Sequence, residues 1–295
     1  MIGLGGAAVL TVGGATGVEL VAHGVLPGKA TLDSLDGACS VAYPAPSFVS
    51  LGPSMSGSFA SKARNRRVGY TIAYPPGHGP GSPLPLIVML HGFGADHTSA
   101  LVGMSPAQAV ALRVDGSPIS PMALVTVDGG GGYWHAHPGD DPMGMIVDEL
   151  IPLCQQFGLG VGPRRIGAMG ISMGGYGALL LAETYPDRIA AVAAVSPAVW
   201  TDYHQASTTN RGAFSSVESF RADDVILGAD KLVGRPVRIA SGIDDPFHPG
   251  VVALSKVVPP TTSVVFSAGC HTGAFFASQE PRSLEFLSRH LPTAV

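Results

Sequence analysis

Charge is what this sequence has least of. Only 13% of its 295 residues are Asp, Glu, Lys or Arg, about half the usual share of roughly 25%, while hydrophobic residues reach 46%. Chains that stay disordered combine low hydrophobicity with high charge, so this one folds. Its net charge is small, 17 − 21 = −4. The nearest approach to a basic cluster, Arg64 to Arg67, is too short to track a phosphate backbone, and no nucleic-acid partner is expected. Cysteine is scarce as well. Cys39, Cys154 and Cys270 are far apart and lack the paired short spacings of zinc sites, so no metal is expected. Each reads as a small buried hydrophobe, and three thiols permit at most one internal disulfide.

The amino terminus lacks ionisable groups altogether: none occurs in residues 1–18, the first acid is Glu19 and the first Lys or Arg is Lys29. Six glycines in those eighteen residues weaken the stretch as a membrane span, which needs about 20 strongly apolar residues. A secretory signal would also need a basic region ahead of its apolar core. We read residues 1–18 as the remnant of an export signal or an anchor, with a buried N-terminal segment as the alternative. The protein is therefore expected to be secreted or associated with the cell envelope, with peripheral membrane contact open. Residues 19–65 carry scattered Gly, Pro and Ser with little periodicity and read as an extension ahead of a catalytic domain at 66–295.

From Arg67 onward the pattern changes to short β-rich runs separated by Gly-rich turns and helical segments. The runs are Val68–Ala73, Leu86–Leu90, Ala123–Val127, Arg165–Met169, Ile189–Val195, Val237–Ala240 and Ser263–Phe266. The middle ones are almost continuously apolar, as strands covered on both faces must be. Helices are expected over Pro142–Phe157, Gly174–Thr184 and Arg282–His290. Alternation of strand and helix predicts an α/β fold with a mostly parallel central sheet flanked by helices. A polar insertion, Thr201 to Arg235, interrupts the pattern between Ile189–Val195 and Val237–Ala240 and is where specificity is expected.

The strongest local signal is Gly170-Ile171-Ser172-Met173-Gly174, set between a strand and a helix. A serine on such a sharp strand-to-helix turn has its hydroxyl projecting above the sheet, and the turn closes only if the flanking residues are small. A hydroxyl is a weak nucleophile by itself and needs a base oriented by an acid, which should follow in that chain order as acid, then His. After the run Val237–Ala240 comes Gly242-Ile243-Asp244-Asp245-Pro246-Phe247, and after Ser263–Phe266 comes Gly269-Cys270-His271. Asp245 is preferred as the acid, with Asp244 as a turn-capping neighbour. Of ten histidines, His271 alone follows a late strand with a glycine just before it. Two N–H donors are needed for the oxyanion, and Met173 and Phe93, the latter in His91-Gly92-Phe93-Gly94, are the candidates. His91 is expected to pack and hydrogen-bond within its loop. Tyr133 and Trp134, ending the glycine-rich loop that starts at Asp128, are candidate substrate contacts, although Trp134 could instead fill the gap above the sheet.

Together HGFG at 91–94, the DGG loop with its Tyr-Trp pair, DELIP at 148–152, GISMGG at 170–175, GIDDPF at 242–247 and GCH at 269–271 resemble one known group. It is the putative-esterase family of the α/β-hydrolase superfamily, with esterase D (S-formylglutathione hydrolase), feruloyl esterases and mycolyltransferase antigens among its members. The resemblance spans roughly residues 65–290 and implies an α/β-hydrolase fold. It also implies Ser172, Asp245 and His271 as a catalytic triad and Phe93 and Met173 at the oxyanion positions. The expected activity is hydrolysis of a small-molecule or lipid carboxylic ester through an acyl-enzyme, with no cofactor and no metal. Acyl transfer to a sugar or other alcohol is one alternative; a catalytically silent binding protein on the same scaffold is another.

Overall fold

The computed structural model describes residues 39–292; the apolar segment 1–18 and residues 19–38 of the expected extension lie outside them. Eleven strands are formed among the described residues. They are β1 (Ser47–Phe48), β2 (Ser54–Ser61), β3 (Arg66–Ala73), β4 (Leu86–Leu90), β5 (Leu112–Val114), β6 (Ser117–Pro118), β7 (Ala123–Val127), β8 (Ile166–Ile171), β9 (Ala191–Val195), β10 (Val237–Gly242) and β11 (Ser263–Ser267). Eight of them make one sheet in the order β11-β10-β9-β8-β4-β7-β3-β2, and β1, β5 and β6 form a small separate one. From β11 to β7 all neighbours are parallel, and β3 and β2 close the far edge antiparallel. This is the mostly parallel α/β architecture that the alternation of patterns predicts.

The helices are α1 (Pro106–Ala109), α2 (Pro142–Met145), α3 (Ile151–Gln156), α4 (Met173–Thr184), α5 (Tyr203–Thr209), α6 (Val217–Ala222), α7 (His248–Ser255) and α8 (Gly273–His290). A single π turn, Ile146–Leu150, joins α2 to α3. It precedes Pro152, which has no N–H to return to residue 148 and so cannot sustain an unbroken α ladder.

Strand side chains alternate between the two faces, as a period of two requires. Val88, Leu90, Val125, Ala168 and Val192 pack with α4 and the insertion in one core. Ile87, Met89, Leu124, Met169 and Ala193 pack with α8 in the other. Helix α4 is buried along nearly its whole length, which its run of Gly, Ala and Leu permits. On the opposite face Leu284, Leu287 and Leu291 seat the C-terminal end of α8 and its cap. Each such side chain contributes about 1.5–3 kcal/mol on burial.

The sequence pattern predicts neither α1 and α7 nor the small sheet of β1, β5 and β6, and three further departures have a clear cause. The large sheet starts at Ser54 rather than after residue 65, because β2 is an edge strand whose Ser54, Ser56 and Ser58 point outward while Met55 and Phe59 pack inward; so sparse an apolar face leaves a weak periodic signal. The last helix starts at Gly273 rather than Arg282. Pro281 looks like a helix start in the sequence, yet Thr272 caps the helix by accepting from the Phe275 N–H, and buried Phe275, Ala277 and Glu280 hold its first turns. The insertion contains α5, α6 and a 3-10 turn at Ala229–Leu232, between the sixth and seventh strands of the large sheet in chain order. It grips the rest of the molecule through the Tyr176 hydroxyl, which donates to the Asp223 carbonyl, and through His135, which bonds the Ala213 carbonyl. No helix among the described residues is long and apolar enough to cross a membrane.

Cysteine requires a correction. Cys39 and Cys270 are joined in a disulfide spanning 231 residues of sequence, where each alone reads as an unpaired hydrophobe. Cys154 is buried and unpaired, and desolvation pushes its thiol up to about 12. Native protein should therefore show no reactive thiol, one after denaturation without reductant, and three after denaturation with it. Cross-linking so long a loop restricts the unfolded chain. Reduction, or Cys39→Ser, should remove about 2–4 kcal/mol of stability, seen as a lower urea midpoint. An unchanged midpoint would show that the bridge does not form.

Candidate active site

Ser172 stands at the junction of β8 and α4 with φ 56 and ψ −120, a left-handed backbone that is strained for any residue with a Cβ. The turn holds because its neighbours are glycines. A Cβ at Gly170 would overlap the Gly174 carbonyl, and one at Gly174 would overlap the carbonyl of Leu90 on β4. The Ser172 amide donates to the Val195 carbonyl, and its own carbonyl accepts from the Tyr176 and Ala198 amides. Sequence thus dictates a local conformation that thrusts Oγ out of the sheet at the carboxyl ends of the strands, where open α/β sheets place their sites.

The three polar side chains expected to work together do meet. His271 Nε2 lies 2.8 Å from Ser172 Oγ, and His271 Nδ1 lies 2.8 Å from Asp245 Oδ2. The Asp245 side chain is fully buried and that of His271 is 22% exposed. The other carboxylate oxygen, Asp245 Oδ1, accepts the Phe247 amide at 2.8 Å, which fixes the carboxyl plane. Neighbouring Asp244 instead turns its backbone toward the histidine loop, its amide donating to the Gly269 carbonyl. With a buried carboxylate on Nδ1, the proton of neutral His271 resides there, and Nε2 is free to accept the serine proton. Phe247 and Phe276 stand edge-on to the imidazole at 5.0 and 4.9 Å between centroids, restricting its rotation.

A cavity of about 470 Å³ opens over Ser172. Its lining includes Ser99, Ala100 and Val102 of the loop after β4 and Phe276 of α8, together with Tyr133, Thr209, Asn210 and Phe247. Among the described residues no Asp, Glu, Lys or Arg lines it. Phe93 lies at its mouth with 64% of its surface exposed, and Met173 is wholly buried as the first residue of α4.

His91 is buried and bridges two loops: its Nε2 accepts the Gly129 amide at 2.9 Å, and its Nδ1 donates to the Gly92 carbonyl at 2.7 Å. Burial also lowers its pKa, in keeping with a neutral packing role. Of the two aromatic candidates, only Tyr133 reaches the cavity. Trp134 is a correction: it is fully buried, packed against the hydrogen-only faces of Gly129 and Gly177, with its indole N–H donating to the His91 carbonyl at 3.2 Å. A side chain on either glycine would collide with the indole, so the inward position depends on one glycine of its own loop and one on α4. Among the described residues no group of three or more His, Cys, Asp or Glu side chains could hold a metal ion.

Sequence reasoning missed the wall made by Ser99, Ala100, Val102 and Phe276. No motif marks it; only the expectation that the loop after β4 borders the serine could have pointed there.

The family model described as "Putative esterase" matches residues 61–240, more than half of the chain. No curated protein matches the sequence. Among solved structures, a ferulic acid esterase superposes with a TM-score of 0.67 at 18% identity, covering 82% of this chain and 100% of its own. The S-formylglutathione hydrolase of Agrobacterium tumefaciens gives 0.65 at 16% identity, covering 84% and 98%. The fluorophosphonate-binding serine hydrolase FphF of Staphylococcus aureus gives 0.64 at 19% identity, covering 81% and 99%. At these identities the likeness establishes the fold.

Proposed function

Because the chain belongs to the Putative esterase family and is a serine esterase, we propose that Ser172, His271 and Asp245 carry its chemistry through an acyl-enzyme. The observation that supports this reading most directly is the unbroken hydrogen-bonded series Ser172 Oγ, His271, Asp245 beneath an open cavity. His271 Nε2 takes the Ser172 proton as Oγ attacks the ester carbonyl carbon. Asp245 holds the ring in the required tautomer and stabilises the imidazolium. The tetrahedral oxyanion is received by the N–H groups of Met173 and Phe93. Collapse expels the alcohol, which takes the proton from His271, and leaves the acyl group on Oγ. Water, deprotonated by the same imidazole, then releases the acid and restores the serine.

The lining argues for an uncharged substrate. A carboxylate or ammonium drawn into a cavity without a countercharge loses its hydration unreplaced. Residence outside the reducing cytosol is part of the proposal, supported by the Cys39–Cys270 disulfide, since such bridges persist in oxidising compartments.

A fluorophosphonate probe should label one serine, Ser172, identified by peptide mass. p-Nitrophenyl butyrate should be hydrolysed with a kcat/KM at least on the order of tenfold above that of the corresponding hemisuccinate. Absence of labelling together with absence of turnover would remove the esterase mechanism. Equal rates on the two esters would remove the charge argument alone.

A further inference from the structure

We propose that Glu280 is a positioning residue for substrate selectivity: it fixes the Ser99–Val102 side of the active-site cavity from beneath. The inference rests on the esterase reading above and adds a residue that never touches substrate.

Residues 91–105, between β4 and α1, contain no strand or helix. A segment without regular structure must find partners for its backbone elsewhere when it is packed down. Val102 and Gly103 find theirs in one side chain. The Val102 amide donates to Glu280 Oε1 at 2.6 Å and the Gly103 amide to Oε2 at 2.9 Å. Glu280 is fully buried on α8, and a carboxylate that accepts two charge-assisted bonds in such a place is a strong and directional tether.

Packing holds the neighbours, since Ala100, Leu101 and Met104 are buried in the core on the α8 face, but it does less for Val102, whose side chain is 50% exposed at the cavity rim. Gly103 lets the loop sit close on the helix: a Cβ there would lie 2.7 Å from the Ala277 Cβ and 3.0 Å from Glu280 Oε2. Burial raises the Glu280 carboxyl to about 7, against the pull of the two amides. An ionisable group in that position is a costly way to fill a core, in keeping with a role beyond packing.

The same helix carries Phe276, which lines the cavity and packs edge-on against His271, so Glu280 joins the loop to a helix that touches the base. The two sides of the cavity belong to different halves of the molecule. Ala100 and Phe276 pack in the core on the α8 face of the sheet, and Tyr133 and Phe247 in the core on the α4 face. Ser172 lies between. The acyl and alcohol portions of an ester leave the reacting carbon in different directions, so the side tethered by Glu280 meets one of them.

Two substrate series test this. One keeps the p-nitrophenyl leaving group and lengthens the acyl chain from acetyl to octanoyl; the other keeps acetyl and enlarges the alcohol. Glu280→Gln retains one acceptor but sets an N–H donor against the second amide. Val102→Ala trims the tethered rim without touching the core, and decides the matter if the Gln variant does not fold. The expected result is that the kcat/KM ratio between the largest and smallest members of one series shifts by on the order of fivefold or more. The other series should stay within about twofold of the native ratio, and both variants should move the same series. Flat ratios in both series, equal shifts in both, or different series moved by the two variants would overturn the role of Glu280. A native protein that takes no probe and hydrolyses no ester fails on the esterase reading instead.

Discussion

Ser172→Ala should lower kcat on p-nitrophenyl butyrate by roughly 10⁴-fold or more while leaving the fold intact, since triad nucleophiles removed in comparable enzymes cost about 10⁶. The prediction separates chemistry from stability with unusual clarity at this position. The strained backbone of Ser172, at φ 56, is strained because of its Cβ, and alanine keeps that atom. The amide and carbonyl bonds of residue 172 to Val195, Tyr176 and Ala198 are backbone bonds that alanine also keeps. What is lost is Oγ and its bond to His271 Nε2. The melting temperature should stay within a degree or two of native, and fluorophosphonate labelling should vanish. Retention of more than a tenth of native turnover would mean that another nucleophile does the work.

Asp245→Asn should cost on the order of 10³–10⁴ in kcat with KM little changed, an effect of the size seen when a triad carboxylate becomes an amide. The reason lies in a bond outside the triad. Asp245 Oδ1 accepts the Phe247 amide, so an asparagine must keep its oxygen there and turn its NH₂ toward His271 Nδ1. That NH₂ donates, so Nδ1 must accept and the imidazole proton moves to Nε2. The ring then donates to Ser172 Oγ and can no longer take its proton. The flipped amide would leave the Phe247 N–H facing another donor in a buried site, at a cost of about 1–3 kcal/mol. Measured kcat on a short ester, with circular dichroism to verify folding, decides this. A loss below tenfold would mean that the carboxylate does not control the tautomer.

The elbow, the order of acid and histidine and the central strands were legible in the sequence because each rests on neighbours within a few residues. β4 and β7 run over the expected residues, Leu86–Leu90 and Ala123–Val127, since strands covered on both faces are continuously apolar. β2 was not legible, because its inward face is Met55, Gly57, Phe59 and a buried Ser61, alternating with outward Ser54, Ser56 and Ser58. The start of α8 was masked by Pro281, which the buried first turns override.

By itself, then, the sequence determined which residues could do chemistry: glycines spaced so that only a sharp turn fits around Ser172, and an acid and a histidine after successive strands. Only the tertiary structure decided which of them do meet and on what they rest. It turned Asp245 rather than Asp244 toward His271, buried Trp134 against the distant Gly177, joined Cys39 to Cys270, and set Glu280 under Val102. The physical reason is range. A turn or a strand is selected by contacts among adjacent residues, whereas these four outcomes depend on groups brought together across the sheet, and no local pattern of residue types records which distant partner a side chain will find.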